Sequence, residues 1–577
     1  GKMRAKVQIG LHRAFREESI RAITGYLVLI LAPIVLLVVT YHLRFQGLQN
    51  ATAVDHAQLA RNVAEPSGFT THVIRPLSLL FKADVARHPD LYNAPLHPIA
   101  LGFLFAMASP TDKVVAAFGG AIWLLTLWVL FLTGRQWMGT AAGTAAVVLY
   151  GCNVAALTAA LGGFPQSLAA LLTLLAMRLL VRTPVPNRER NGSEDEDDVG
   201  EEEEGANGDR TPLLRPVSAA ALGFCCGLAV LTDYLLVSLL VAVGVLVALT
   251  QGRWKTLLFY GLGAAVPLVP WMVRNFLVTG SPVFSLFWYE LMGNTETYPG
   301  DTLWRTLSAP PPSPLEFVFQ HPLQTMRKLL RGLALLRETS LTTTEPLAGL
   351  LFLGALFSRK GVPMGWPFVR VLAGALVLHL VGVCLFQPNP AALLPWLPVI
   401  HLVAAVQFVQ WAAPASRHWG LEYRPLRSRL RKTAPYVGFG AVAVFPMVFL
   451  LFLSPRAADP MHRARFEPVR TLLPREAVVV SDEPALVAWY GERRAVWLPR
   501  EVGDFDLLQQ GAGKVDAAYI SRQPTAARPR DKGDWWFWLA VPHGVYRDLV
   551  PVGLIPPEGV LRVRAGVRLN VGGRSAR

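Results

Sequence analysis

Hydrophobic runs long enough to cross about 30 Å of hydrocarbon as helix recur along this chain from residue 23 to residue 453, separated by short charged stretches. The first covers 23–41. Four more lie near 98–108, 114–133, 140–160 and 164–181, and seven near 216–231, 235–250, 256–273, 347–357, 368–385, 393–411 and 436–453. No ten-residue alternation of the kind that builds an outer-membrane barrel repeats. The pattern predicts an α-helical polytopic membrane protein with about eleven transmembrane helices. Beyond residue 455 the texture changes: β-type runs such as AVVVSD and DAAYISR flank a helix-like PALVAWYGE, which reads as a small α/β domain.

Charge sets the expected sidedness. The N-terminal stretch is basic, so the loop 42–97 is placed outside and the N-terminus in the cytoplasm. The acidic segment 183–214 sits between Arg178, Arg182 and Arg215 and reads as a disordered cytoplasmic loop, because its like charges repel and bury no core. Four crossings between these two loops would leave both outside, so one of the four segments is expected to be re-entrant. Loop 274–346 and the domain 455–577 then fall outside, and 1–454 forms the membrane domain.

Composition agrees with this class: 52% hydrophobic and 16% charged residues over 577 positions are too apolar for a soluble globular chain. The formal charge of +15 lies beside the hydrophobic runs and forms no aromatic-interleaved patch, so no nucleic-acid partner is expected. Cys152, Cys225, Cys226 and Cys384 all sit in apolar segments without metal-ligand spacing and imply no disulfide framework.

Few ionisable residues lie where a lipid-borne substrate would meet water. Asp55, about a dozen residues beyond the first run, suits either a general base or the N-cap of the Ala/Leu-rich helix that follows it. Arg274 and Asn275 end an apolar run on the expected outer side. The guanidinium fork of Arg274 fits a phosphate, and it also suits a flanking cation that snorkels to the headgroups. Asn275 suits a substrate contact or a chain turn. Arg61 and Arg75 are further phosphate candidates, with loop salt bridges as the alternative. His56, His72 and His97 share the first outer loop and suit a phosphate contact or a metal site; no metal or other cofactor is required by the pattern. Asp233 stands at a predicted membrane edge, where an ionisable residue is either functional or locally paired.

In their order these features resemble the GT-C membrane glycosyltransferases, in particular the bacterial branch related to protein mannosyltransferases and aminoarabinose transferases. The matching stretches are DHAQLARN from Asp55, HPDLYNAPLHP from His88, PWMVRNFLVTGSPVF from Pro270, and SDEPALVAWYGERRAVWLP in the tail. The resemblance implies a GT-C fold in the bacterial cytoplasmic (inner) membrane and an inverting transfer of sugar from a polyprenyl-phosphate donor to a hydroxyl of a protein, glycan or lipid outside. It also implies Asp55 as the base. Two departures stand out: Asp55 is followed by His56 where many relatives have a second acid, and Ala391 and Ala392 stand where relatives often have Arg-Tyr. A catalytically silent scaffold on the same frame and a transporter are the rival readings, although the internally repeated halves common in transporters are absent.

Overall fold

The computed structural model describes residues 25, 27–181, 216–251, 254–308, 310–358, 365–387, 389–418, 425–455, 462–511, 514–521, 548–552, 559–571 and 574–576; the acidic stretch 183–214 lies outside them. Helix α1 (Leu27–Arg44) leads to α2 (Ala51–Ala64), the short strand β1 (Val73–Ile74), α3 (Pro76–Leu79) and α4 (Leu96–Met107). Then come α5 (Asp112–Met138), α6 (Thr140–Gly151), α7 (Val154–Leu161) and α8 (Gln166–Val181), followed by α9 (Pro216–Val230), α10 (Val237–Gln251) and α11 (Trp254–Thr279). Next are α12 (Pro314–Gln320), α13 (Pro322–Thr344), α14 (Pro346–Phe357), α15 (Gly365–Leu385), α16 (Leu397–His418) and α17 (Pro425–Val448). The tail holds α18 (His462–Leu472), β2 (Val478–Ser481), α19 (Pro484–Tyr490), β3 (Arg494–Trp497), α20 (Val502–Gly511), β4 (Ala517–Ser521), β5 (Leu549–Pro551) and β6 (Gly559–Arg564).

Among the described residues, five helices are long and apolar enough to cross a membrane: α1, α5, α11 and the stretches Ala391–Ala412 and Thr433–Leu453. Helices α6 and α7, bent by 62° across Cys152 and Asn153, make a sixth as a broken pair, and six shorter apolar helices complete the set. Where these helices cross, small residues let backbones touch. A Cβ on Gly223 of α9 would fall 1.9 Å from the Tyr260 carbonyl oxygen of α11, and one on Gly263 of α11 would fall 2.0 Å from that of Ala220. Those two helices are therefore in backbone contact, and no larger residue fits between them.

Of the four segments between the first loop and the acidic stretch, one of which is expected not to cross, the one near 98–108 forms a short helix. Helix α4 has 12 residues, about 18 Å of helix, against the roughly 30 Å of a hydrocarbon core. Its Leu101 and Phe105 share one core with Val54, Ala57 and Ala60 of α2 and with Val487 and Trp489 of the tail. It belongs to an assembly that also contains the α/β sheet. Its even hydrophobicity made it look like a span; its burial comes from α2 and α19 instead.

The sheet draws on residues from both sides of position 455. Its strand order is β1-β3-β2-β4-β6-β5; the neighbours from β1 to β4 are parallel, and β6 is antiparallel to both β4 and β5. Strand β1 comes from the first loop, with Val73 level with Ala495 and Ile74 level with Val496, so the α/β unit is not confined to 455–577. Without β1, the edge of β3 would expose an unpaired row of N–H and C=O groups. Two residues carry no readable strand period, which is why the sequence does not announce it.

Further ties hold loop and tail together. The Asp112 carboxylate accepts from Trp489 Nε1 at 2.7 Å and from the Tyr490 hydroxyl at 2.9 Å. From the loop after α11, Arg305 Nε donates to the Leu498 carbonyl at 2.7 Å and the Ser308 amide to Asp504 at 2.8 Å. Both loops are thus fastened to the sheet.

Candidate active site

Asn50, not Asp55, caps α2, accepting from the amides of Thr52 and Ala53. That leaves Asp55 one turn into the helix, with Gln58 three residues on and hence on the same face. The Asp55 side chain is 5% exposed. Its Oδ1 accepts from Gln58 Nε2 at 3.0 Å, and its Oδ2 accepts from Arg75 Nη2 at 2.9 Å and Asn93 Nδ2 at 3.1 Å. Gln58 is itself fixed, donating to Thr71 Oγ1 at 2.8 Å and accepting from the His72 amide at 2.9 Å. Arg75 is the first residue after β1.

A second carboxylate stands beside the first. Asp90 closes a turn in which its Oδ1 accepts from the amides of Tyr92 at 3.0 Å and Asn93 at 2.7 Å, the local bonding that favours Asp at such positions. Asn93 Nδ2 also donates to Asp90 Oδ2 at 3.1 Å, so one amide group bridges both acids. Burial and the neighbouring Asp55 charge push the Asp90 carboxyl above its ordinary range, while Arg75 and the backbone donors pull it back.

Outward from this pair the charges alternate. The Arg75 guanidinium lies 4.0 Å from the centre of the Tyr92 ring. Burial works against the charged form of Arg75, but Asp55, Tyr92 and Asp90 outweigh it and raise its pKa. The Tyr92 hydroxyl donates to Glu290 Oε1 at 2.7 Å, and Gln387 Nε2 donates to the same oxygen at 2.9 Å. Lys328 of α13 donates to the Glu290 carbonyl. Burial raises the Glu290 carboxyl and lowers the Lys328 ammonium to about 8, each opposed by the other's charge.

Arg274 closes the other side. Its Nη2 donates to the Asp90 carbonyl at 2.8 Å and its Nη1 to Asn275 Oδ1 at 3.0 Å, with its guanidinium 4.8 Å from the Trp271 ring centre. Trp271 Nε1 donates to the Tyr234 hydroxyl at 3.2 Å, and that hydroxyl donates to the Asn93 carbonyl at 3.3 Å. Asp55, Arg75, Arg274 and Asn275 are therefore brought together in one cluster.

Others are not. Arg61 donates to the carbonyls of Ala488 and Trp489 at 2.6 and 3.2 Å and stacks over the Trp489 ring, so it fastens α2 to the tail, away from Asp55 and Asp90. His72 lies near Arg61 and Arg494, held down to about 4 by burial and those cations. His56 and His97 do pair, ring centres 5.3 Å apart, and burial and Arg75 hold His56 down to about 3. The three histidines thus do not converge, and among the described residues no group of three His, Cys, Asp or Glu is placed to hold a metal ion. Asp233 accepts from the Leu235 amide at 3.0 Å as a local cap. At the Ala391–Ala392 departure, His379 Nε2 lies 2.9 Å from the Ala392 carbonyl oxygen.

Several residues of the cluster were missed from sequence: Gln58, Asp90, Tyr92, Asn93, Glu290 and Lys328. The D-x-x-N spacing in HPDLYN carried a turn signal that would have found Asp90 and Asn93. Gln58 followed from the i, i+3 rule on a helix holding Asp55. Glu290 and Lys328 had no local signal.

No protein-family profile and no curated protein sequence matches the chain. Among solved structures, it superposes on ArnT from Cupriavidus metallidurans bound to undecaprenyl phosphate with a TM-score of 0.55 at 13% identity, over 96% of this chain and 99% of that one. The apo form of the same protein gives 0.53 at 12% identity, over 95% and 98%. The Archaeoglobus fulgidus oligosaccharyltransferase in its apo form gives 0.48 at 11%, over 85% and 69%. At such identities it is the fold that is shared: this chain is a helical membrane protein of the GT-C fold expected from its motifs.

Proposed function

We propose that this protein transfers a sugar from a polyprenyl-phosphate donor to a hydroxyl acceptor at the outer face of the cytoplasmic membrane, with Asp55 as general base. The acceptor oxygen attacks the anomeric carbon, the bond from that carbon to the phosphate oxygen breaks with inversion, and the acceptor proton passes to Asp55. A hydroxyl is a weak nucleophile, and a positioned carboxylate supplies a factor of about 10²–10⁴. The phosphate leaves with the electron pair, and Arg274 is the cation we assign to it, because a fixed guanidinium stabilises that charge without solvent reorganisation. No cofactor enters the scheme.

One observation carries the reading: among the described residues Asp55 Oδ1 receives a single donor, Gln58, and so keeps a lone pair for an incoming proton, while Arg75 and Asn93 fix the group through Oδ2. Two supports stand beside it. The shared fold belongs to a protein solved with undecaprenyl phosphate bound. With α4 removed from the crossings, three segments separate Asp55 from the arginine-flanked stretch 183–214, which agrees with an outer site and a cytoplasmic loop. Lys328 is the cation we assign to the role that Ala391 and Ala392 leave vacant.

The burial of Asp55 favours the scaffold reading instead, since a carboxylate this enclosed must gain access to its substrate. Transfer of labelled sugar from polyprenyl phosphate by the purified protein, with Asp55→Asn as control, decides between them. Turnover lost in the variant supports the transferase. Turnover in neither supports the scaffold, and turnover equal in both removes Asp55 as base.

A further inference from the structure

We propose that the α/β domain is a working part of the active site, with Gln58 and Ala495 as positioning residues that set Asp55 through strand β1; this rests on the function proposed above. The connection is short and buried. The Ala495 amide of β3 donates to the His72 carbonyl at 2.7 Å, fixing the start of β1 against the tail's sheet. The amide of that same His72 donates to Gln58 Oε1, and the fully buried Gln58 passes its other end to Asp55 Oδ1. At the far end of β1, Arg75 leaves the strand and reaches Asp55 Oδ2. Two of the three donors on the Asp55 carboxylate are therefore placed by one two-residue strand, and that strand is held by a residue 440 positions from Asp55 along the chain.

Sequence-distant anchoring of this kind has a specific consequence. The donor-side cation Arg274 comes from α11, which is not part of the sheet, so loosening β1 misplaces the base while leaving the lipid phosphate contact intact. A misplacement of about 1 Å at a reacting group lowers turnover by about 10²-fold. Gln58 adds a second tie, because its amide is held at one end by the His72 backbone and at the other by Asp55.

The test uses the full chain. Ala495→Pro removes the N–H donated to His72, whereas Ala495→Ser keeps it. The expected result is that Ala495→Pro lowers kcat by about 10²-fold with KM for the polyprenyl-phosphate sugar unchanged, and that Ala495→Ser restores kcat. Should Ala495→Pro fail to fold, Gln58→Leu carries the test, with an expected fall of kcat by about 10²-fold and KM for the polyprenyl-phosphate sugar unchanged. Wild-type kcat in Ala495→Pro or in Gln58→Leu overturns the proposal. Full activity of Asp55→Asn instead defeats the functional reading itself, so the two failures are told apart.

Discussion

The helix bundle and the assembly of loops and sheet that lies outside that bundle are held together by opposite means. Between α9 and α11 the contact is glycine against carbonyl, with no side chain intervening, and the adjoining core is Leu, Ala and Val. Around Asp55 the contacts are ionic and hydrogen-bonded: Asp55, Asp90 and Glu290 against Arg75, Arg274 and Lys328, all buried or half-buried. A bundle in lipid gains little from hydrophobicity between its helices and relies on close packing. The outer assembly keeps charges at depth, and buried charges persist only when each has a partner. The difference is what points the functional proposal to the second region, because nothing in the packing of α9 on α11 requires three buried acids elsewhere in the chain.

The comparison breaks most decisively at Asp55. Asp55→Asn keeps shape and volume but removes the proposed base, so sugar transfer per folded molecule is expected to fall by about 10²–10⁴-fold. Rates from the labelled-donor assay, normalised to folded protein, check it. A residual rate within threefold of wild type would place the chemistry elsewhere.

Next in size is Arg75→Leu, which strands the buried Asp55 carboxylate. Removing one partner of a buried pair costs about 3–5 kcal/mol, and the pair here is 12% and 5% exposed. Thermal unfolding in detergent is expected to shift sharply down, and the double variant with Asp55→Asn to recover much of the loss. If the single and double variants melt alike, the pair is not the buried ion pair described.

A milder effect is expected from the bundle. Gly223→Val places methyl groups where the Tyr260 carbonyl already stands, and overpacking of this kind costs about 1–3 kcal/mol. Stability should fall while kcat per folded molecule stays at the wild-type value. A selective loss of kcat would mean that bundle and site are coupled more closely than their packing suggests.

How much of this the sequence discloses follows the same division. The bundle is written locally: apolar runs mark the helices, and flanking cations suggest their sides. Which of the four segments from 98 to 181 falls short of a crossing was not legible, because a run of even hydrophobicity looks the same whether lipid or α2 and α19 bury it. In the site, Asp55 and Arg274 were legible from their places beyond apolar runs, but their partners were not. Asn93 is 38 residues from Asp55, and Glu290 is 198 from Tyr92, separations at which no periodicity speaks. Strand β1 is invisible for a related reason, being defined by what β3 lacks and not by its own two residues.

The smallest effect follows from the histidines of the outer assembly. His56 is held down to about 3 by burial and by Arg75, against an ordinary value of 6.5, so the folded protein keeps it neutral where the unfolded chain protonates it. The sign follows directly: the unfolded state binds the extra proton, so the stability tied to His56 is complete above pH 6.5 and drains away as pH falls from 6.5 toward 3, by about 1.4 kcal/mol per pH unit at most. Asp90, whose carboxyl is raised by burial and the Asp55 charge, works in the opposite direction. Melting temperatures measured between pH 7 and pH 5 are therefore expected to fall, and His56→Gln to flatten the slope. Hydrogen exchange should show α2 and β1 opening before α9 and α11, because the titrating group sits among the former. An acid response unchanged in His56→Gln, or one that opens the bundle first, would mean that the outer assembly is not the acid-sensitive half of the molecule.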